Sequence, residues 1–193
     1  MCIRDRYRIP KGFTLTDYQN DCLEKMEKRF SKDNNIAAFI MESGAQMAGG
    51  VIIYPKDFQR KISKLCKKHD ILFVLDEIAT GFGRLGSMVQ YKEQKSIPDI
   101  VAYGKMLTGG YLTMAATLSS KKIQHSSMFN LTNEPVEKLA KNLIKISPGM
   151  NKVFYSDNGS SAMEIAIKIA LQYWKNIGAV SYTHLTLPTI YSV

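Results

Sequence analysis

An apolar run that ends in two adjacent carboxylates constrains the fold of this chain more than any other feature. The run is Ile71 to Leu75, and Asp76 and Glu77 follow it directly. Polar residues do not alternate with apolar ones, which is typical of a strand buried on both faces in a parallel sheet under helices. Ligands of open α/β sheets bind at the carboxyl ends of such strands. We therefore expect Asp76 to face a ligand-binding crevice.

A second apolar run brings an amine to the same predicted edge. Ile100 to Tyr103 forms this run, and Lys105 comes two residues after it, followed by Gly109 and Gly110. Because the carboxyl ends of parallel strands meet at one edge, we expect a carboxylate and an amine to share one crevice.

Helical and strand patterns alternate between residues 17 and 119. The predicted elements are helix 17–33 capped by Thr16, strand 36–41, a glycine-rich loop at 42–50, a helix that begins at Pro55, strand 71–75, strand 100–103 and strand 113–119. This alternation predicts an α/β domain with a mostly parallel sheet flanked by helices.

The last part of the chain supplies a third candidate polar group, at the start of a predicted helix. We expect a helix with Pro135 in its first turn and Thr132 or Asn133 as its cap, then strand 152–155. A Gly-Ser pair, Gly159 and Ser160, then opens another helix. A strand, a Gly-Ser turn and a helix together favour phosphate binding, because free N–H groups and the helix dipole attract anions. Ser160 could also serve only as a helix cap.

These groups together fit pyridoxal 5'-phosphate. A lysine can hold the aldehyde as a Schiff base and move protons, which is the role expected of Lys105. A carboxylate such as Asp76 keeps the pyridine nitrogen protonated, so that the ring can accept electrons. Gly159 and Ser160 would bind the phosphate.

Three motifs also resemble the class III (fold type I) aminotransferases: DEIATGFGR at 76–84, GKMLTGG at 104–110 and DNGSSAMEIAIKIALQYW at 157–174. By this resemblance, Lys105 is the Schiff-base and catalytic lysine, and Asp76 is the pyridinium partner. The pair of Gly159 and Ser160 binds the phosphate. The resemblance implies part of the large cofactor-binding domain of that fold.

The same resemblance implies roles for two further residues. Ile78 would pack against the cofactor ring, and Gln46 would lie near its phenolic oxygen. In the loop that contains Gln46, Ser43 stands where the family usually has proline, and Met47 stands where it usually has glycine.

Within the class, the chain is most similar to the branch that serves biotin synthesis. The pair Ile78-Ala79, the run 108–111 and the run 172–174 favour this branch. The resemblance implies transamination of 8-amino-7-oxononanoate to 7,8-diaminononanoate with S-adenosylmethionine as amino donor. It also implies a homodimer with sites at the subunit interface. Another class III omega-amino acid aminotransferase is the alternative.

The order of the segments departs from the family. Residues 7–122 resemble the part with the aspartate and lysine strands, and residues 123–178 resemble a part that lies upstream in the family. Residues 1–6 and 179–193 resemble translated sequencing adapters, so we leave them out of the predicted fold. We found no match for the ring-stacking aromatic residue, the partner-subunit phosphate contact or the substrate-binding arginine. A rearranged or mis-assembled fragment with little or no activity is therefore expected, and a true permutation is the alternative.

Composition bears on the remaining classes of function. The net charge is +9, but the basic residues are scattered over helix faces, so we expect no nucleic-acid partner. The three cysteines and three histidines show no metal-ligand spacing, which favours reduced thiols and a cytoplasmic protein. The apolar runs are too short to span a membrane, and residues 1–10 lack the apolar stretch of a secretory signal.

Two competing functions remain open from the residues alone. The run that ends in Asp76-Glu77 also occurs in P-loop ATPases, but that interpretation needs a GxxxxGK[ST] loop, and Met106 follows the Gly-Lys pair here. The second is a non-enzymatic one: a stable α/β fragment, or a chain without a stable fold.

Overall fold

The computed structural model describes residues 11–48, 50–120, 134–179 and 184–186. The helices are α1 (Leu15–Lys32), α2 (Phe58–Lys68), α3 (Gln90–Glu93), α4 (Glu134–Ile146) and α5 (Gly159–Asn176), with a 3₁₀ turn at Lys105–Thr108. The strands are β1 (Ile36–Glu42), β2 (Ala45–Gln46), β3 (Ile52–Ile53), β4 (Leu72–Asp76), β5 (Ile100–Tyr103), β6 (Ala115–Ser120), β7 (Met150–Ser156) and β8 (His184–Thr186).

Six of the described strands form one sheet in the order β7-β6-β5-β4-β1-β8. Strands β8, β1, β4 and β5 pair in parallel, whereas β6 runs antiparallel to both of its neighbours. Strand β7 therefore points in the same direction as β5. The predicted α/β fold with a mostly parallel sheet is confirmed, and the carboxyl ends of β1, β4, β5 and β7 lie at one edge.

Helices cover both faces of this sheet. On one face Phe39 and Phe73 pack against each other, and α1, α2 and α4 close the core over them. On the other face Ile40 and Val74 pack under α5. Burial of alternate residues on opposite faces explains why the runs in β1 and β4 contain no polar residue.

Helix α1 begins earlier than predicted, so the assignment of Thr16 as its cap is wrong. Thr14 caps the helix instead: its hydroxyl accepts a hydrogen bond from the Asp17 N–H at 3.1 Å. The Asp17 carboxylate in turn accepts from the Thr14 N–H at 3.1 Å. This reciprocal pair satisfies two N–H groups at once, which a cap at Thr16 would leave unpaired.

The predicted glycine-rich loop after β1 contains a small hairpin. Strands β2 and β3 pair antiparallel, with Ala45 opposite Ile53 and Gln46 opposite Ile52. Gly44 enters the hairpin at φ +77°, a left-handed conformation that glycine adopts without the steric cost of a side chain. The hairpin stands over the carboxyl edge of the sheet.

Part of the segment left out of the predicted fold joins the sheet. The backbone of β8 pairs in parallel with β1, so that residues 184–186 form the outer strand on that side. The predicted caps Thr132 and Asn133 and the segment 1–6 lie outside the described residues. The proposed segment order and the adapter-like ends stay predictions. Within the described part of the chain, no helix is long and apolar enough to cross a bilayer.

Candidate functional site

A cavity of about 330 Å³ lies at the carboxyl edge of the sheet. It opens between the ends of β1, β4 and β5 and the hairpin β2–β3. Its walls are formed by Glu42, Met47, Ala48, Asp76, Ile78, Ala79, Arg84 and Lys105. The volume falls at the small end of the range for small-molecule sites.

Asp76 is the last residue of β4 and enters the cavity half-buried. One carboxylate oxygen accepts a hydrogen bond from the Ile78 N–H at 2.8 Å, which fixes the start of the following loop. The pKa of Asp76 is raised to about 6, mainly by burial and also by the nearby Glu42 carboxylate. The Ile78 N–H and the Lys105 ammonium oppose that increase in the pKa of Asp76.

Lys105 lines the same cavity. Gly104 separates it from the end of β5, and Lys105 begins a 3₁₀ turn with its side chain exposed. Its φ of +36° is unusual for a residue with a side chain and costs of the order of 1 kcal/mol or more. The structure thus brings together Asp76 and Lys105, which lie 29 positions apart in the sequence, at one cavity.

Gly159 and Ser160 form the first turn of α5, beside the cavity. The cap of this helix is Asn158, whose side-chain oxygen accepts hydrogen bonds from the Ser161 N–H at 2.8 Å and from the Ser160 hydroxyl at 2.6 Å. Ser160 is therefore not the cap, which leaves its exposed hydroxyl at the helix start. Neither Gly159 nor Ser160 lines the cavity itself.

Gly159 packs against Ile78, which lines the cavity. A Cβ atom at Gly159 would lie 2.9 Å from Cγ2 of Ile78, and one at Gly104 would lie 3.1 Å from the same atom. Both glycines therefore allow α5 and the end of β5 to close around this side chain. Ile78 lines the cavity, whereas Gln46 does not, although its neighbours Met47 and Ala48 do.

Glu77 turns away from the cavity into the core. Its side chain is fully buried, and it accepts hydrogen bonds from the N–H groups of Gln90 and Tyr91 at the start of α3. Burial raises the pKa of Glu77 to about 7, and the N–H of Gln90, the Ser43 hydroxyl and the N–H of Tyr91 oppose that increase. Glu77 thereby anchors both ends of the loop that contains Ile78 and Arg84.

A buried amide holds the turn after β1. The Gln59 side-chain oxygen accepts from the Gly44 N–H at 2.8 Å, and its amino group donates to the hydroxyls of Ser96 at 2.8 Å and Ser43 at 3.1 Å. Gln59 and Ser43 are both fully buried. Ser43, which stands where the resembling family usually has proline, thus contributes a hydroxyl to this network.

Sequence reasoning missed two charged residues of the cavity, Glu42 and Arg84. Glu42 ends β1 as Asp76 ends β4, so the same rule of polar residues at strand ends could have found it. Arg84 lies eight positions after Asp76, and the loop between them has no regular spacing. Only the folded loop brings Arg84 back to the edge of the sheet.

Comparisons with known proteins identify sequences and structures that resemble this chain. The family model described as aminotransferase class-III matches residues 5–126 and 119–185. An adenosylmethionine-8-amino-7-oxononanoate aminotransferase from Staphylococcus aureus is 47% identical over 95 residues, which is 49% of this chain and 21% of that protein. The protein of that name from Methanocaldococcus jannaschii is 39% identical over 133 residues, 63% of this chain and 28% of that protein. The chain thus spans between about a fifth and three tenths of the length of these two relatives.

Two solved structures share the fold. A transaminase obtained by ancestral reconstruction and directed evolution superposes with a TM-score of 0.58 at 26% identity, covering 94% of this chain and 36% of that chain. A thermostable (S)-enantioselective omega-transaminase from Thermomicrobium roseum superposes with a TM-score of 0.57 at 27% identity, covering 92% and 35%.

Proposed function

This chain belongs to the class III aminotransferases. We propose that its six-stranded sheet, with the helices on both faces, is the cofactor-binding part of an enzyme that transfers amino groups. Members of this family depend on pyridoxal 5'-phosphate. The observation that carries the proposal is the cavity that joins Asp76 and Lys105 at the carboxyl edge of the sheet.

The residues of the cavity fit this cofactor. When bound, the cofactor supplies an electron-accepting ring that stabilises the charge left after a proton is removed from the substrate. Asp76 would hold a proton on the ring nitrogen; a positive charge there would favour the ionised carboxylate, against the burial that raises its pKa to about 6. Lys105 would bind the aldehyde and carry the proton, and its exposed position leaves room for that movement.

The start of α5 would bind the phosphate. Gly159 keeps the helix close to Ile78, and the N–H groups of Gly159 and Ser160 would donate to an anion. The Ser160 hydroxyl, which donates to Asn158 in the structure, would turn toward the phosphate. Ile78, held between Gly104 and Gly159, would set the position of the ring. These residue roles are part of the proposal.

For the substrates, we propose amino transfer from S-adenosylmethionine to 8-amino-7-oxononanoate in the complete enzyme. Support comes from relatives of that name from three organisms at 38–47% identity over parts of the chain. Another class III omega-amino acid aminotransferase is the second candidate, favoured by the omega-transaminase that superposes on the chain.

We further propose a cytoplasmic homodimer. Support for that location comes from the bacterial relative named as an adenosylmethionine-8-amino-7-oxononanoate aminotransferase. Large apolar side chains are exposed in segments next to cavity residues, including Ile53 at 73% and Tyr111 at 93%. A second subunit that covers them would also shield the cavity from water, as apolar surface of this kind favours association.

Covalent trapping of the cofactor tests the proposal. The purified chain is treated with pyridoxal phosphate and borohydride, which together leave a pyridoxyl group on a lysine that has bound the aldehyde. We expect peptide mapping to find this group at Lys105, and Lys105→Ala to abolish it. Lys168→Ala, which removes an exposed lysine from α5, is the matched control. Labelling spread over surface lysines in both the native chain and the Lys105→Ala variant would contradict the proposal.

A further inference from the structure

Glu42 and Asp76 occupy matching positions on neighbouring strands. Strands β1 and β4 pair in parallel with Glu42 opposite Asp76, and both residues end their strands. Both side chains line the same cavity and are half-buried. Two carboxylates therefore border the site, side by side, and the function proposed above uses only one of them.

Glu42 also contacts the β2–β3 hairpin, whose turn lines the cavity. Its carboxylate accepts a hydrogen bond from the Met47 N–H at 2.7 Å and another from the Ala48 N–H at 3.4 Å. Met47 and Ala48 line the same cavity. Bonds from N–H groups to an ionised acceptor are stronger than bonds between neutral groups, so this carboxylate holds the hairpin in place.

We propose that Glu42 is a positioning residue of this site, whose carboxylate fixes the β2–β3 hairpin as a cavity wall and places a second negative charge beside Asp76. The importance of Glu42 for catalysis rests on the proposed function. The geometry itself can be tested without the cofactor.

Four ionisable groups lie near Asp76, and two of them, Glu42 and Lys105, shift its pKa. Glu42 faces it from β1, and Glu77 follows it in the chain. Lys105 approaches from the end of β5, and Arg84 approaches from the loop after β4. The Glu42 carboxylate disfavours a charge on Asp76, while the Lys105 ammonium favours it. Removing the charge of Glu42 alone therefore shifts the balance toward an ionised Asp76.

The experiment titrates Asp76 in the cofactor-free chain by carboxyl ¹³C NMR, with Asp76→Asn to assign its signal. We expect Glu42→Gln to lower the titration midpoint of Asp76 by at least about half a pH unit. Glu164→Gln is the matched control, because it removes the same charge from the exposed face of α5 and should leave the midpoint unchanged.

Hydrogen exchange tests the second half of the inference. The amides of Met47 and Ala48 should exchange several-fold faster in Glu42→Gln than in the native chain, because an amide side chain is a weaker acceptor than a carboxylate. The same amides should keep their native rates in Glu164→Gln. Unchanged exchange, or an unchanged midpoint of Asp76 in a folded Glu42→Gln chain, overturns the proposal.

If Glu42→Gln does not fold, the native chain still decides the question. The amides of Met47 and Ala48 should be protected from exchange in the native chain, because both donate to the Glu42 carboxylate. Exchange of both amides at the rate of exposed backbone would overturn the inference. Since no cofactor is present, this failure is distinct from a failure to trap pyridoxal phosphate at Lys105.

Discussion

At the scale of single residues, two adjacent carboxyl groups have different roles because they point to different sides of the sheet end. Asp76 enters the cavity, whereas Glu77 is fully buried and binds the N–H groups at the start of α3. Burial without an opposite charge raises the pKa of Glu77 from 4.5 to about 7. Glu77 is thus a structural anchor of the loop that frames the site.

This anchor predicts a particular pH dependence of stability. Between pH of about 4.5 and about 7, unfolded Glu77 loses its proton while native Glu77 keeps it, so the free energy of unfolding falls by up to roughly 3 kcal/mol as pH rises. Glu77→Gln cannot ionise. The difference in melting temperature, native minus variant, should therefore decrease from pH 5 to pH 8.

The control for this measurement is Glu137→Gln, which alters an exposed carboxylate on α4. Its melting curve should follow that of the native chain over the same pH range. Parallel pH profiles for the native chain and Glu77→Gln would contradict the assigned role. Asp76 is present in both proteins, so its own titration largely cancels in the comparison.

At the scale of elements, the approach of α5 to the sheet depends on a contact of one side chain with two glycines. Ile78 lies between Gly104 at the end of β5 and Gly159 at the start of α5. Neither position has room for a Cβ atom without movement of Ile78. The contact therefore couples the position of the helix terminus to the loop after β4.

We expect Gly159→Ala to lower the free energy of unfolding by about 1–3 kcal/mol, because the new methyl group would lie 2.9 Å from Cγ2 of Ile78. Ile78→Ala removes the clashing atoms, so the double variant should be less destabilised than the sum of the single changes. Chemical denaturation of the four proteins measures this coupling. Strict additivity would show that the two residues do not share this contact.

Ser160→Ala separates binding from packing at the same helix terminus. Ser160 is exposed, so the Ser160→Ala protein should melt at a temperature close to that of the native chain. Its affinity for pyridoxal phosphate, measured by titration with the cofactor, should fall.

At the scale of the whole molecule, α5 joins the last third of the chain to the strands of the first part. The Trp174 indole N–H donates to the carbonyl of Ala37 at 2.7 Å, and the ring is buried against β1 and β4. Thr117 in β6 likewise donates to the carbonyl of Ala162 at 2.8 Å. The two segments that match the family thus share one core.

A shared core predicts one cooperative unfolding transition for both segments. Trp174→Phe removes the donor to Ala37 and part of the buried ring, and it should lower the free energy of unfolding by roughly 1–3 kcal/mol. Tyr173→Phe, a change in the neighbouring half-buried ring, is the control and should cost less. Two separate transitions in circular dichroism would contradict a common core.

Much of the fold could be predicted from the sequence because its signals are local. Unbroken apolar runs identified β1, β4 and β5, and β5 has the predicted bounds of 100–103. The cap of α1 was misplaced because Thr14 and Thr16 are both acceptable cap residues, and only the reciprocal bond with Asp17 distinguishes them. The hairpin β2–β3 has two residues per strand, too few for an alternating pattern.

The sequence by itself determined that buried parallel strands would end in Asp76 and precede Lys105, because burial on both faces demands unbroken apolar runs and polar residues can follow only where those runs stop. Only the tertiary structure decided that Glu42 and Arg84 share the cavity, that Glu77 is buried, and that Gly159 packs on Ile78. Those relations depend on strand register and on the path of loops, and they join residues whose separation along the chain has no periodicity.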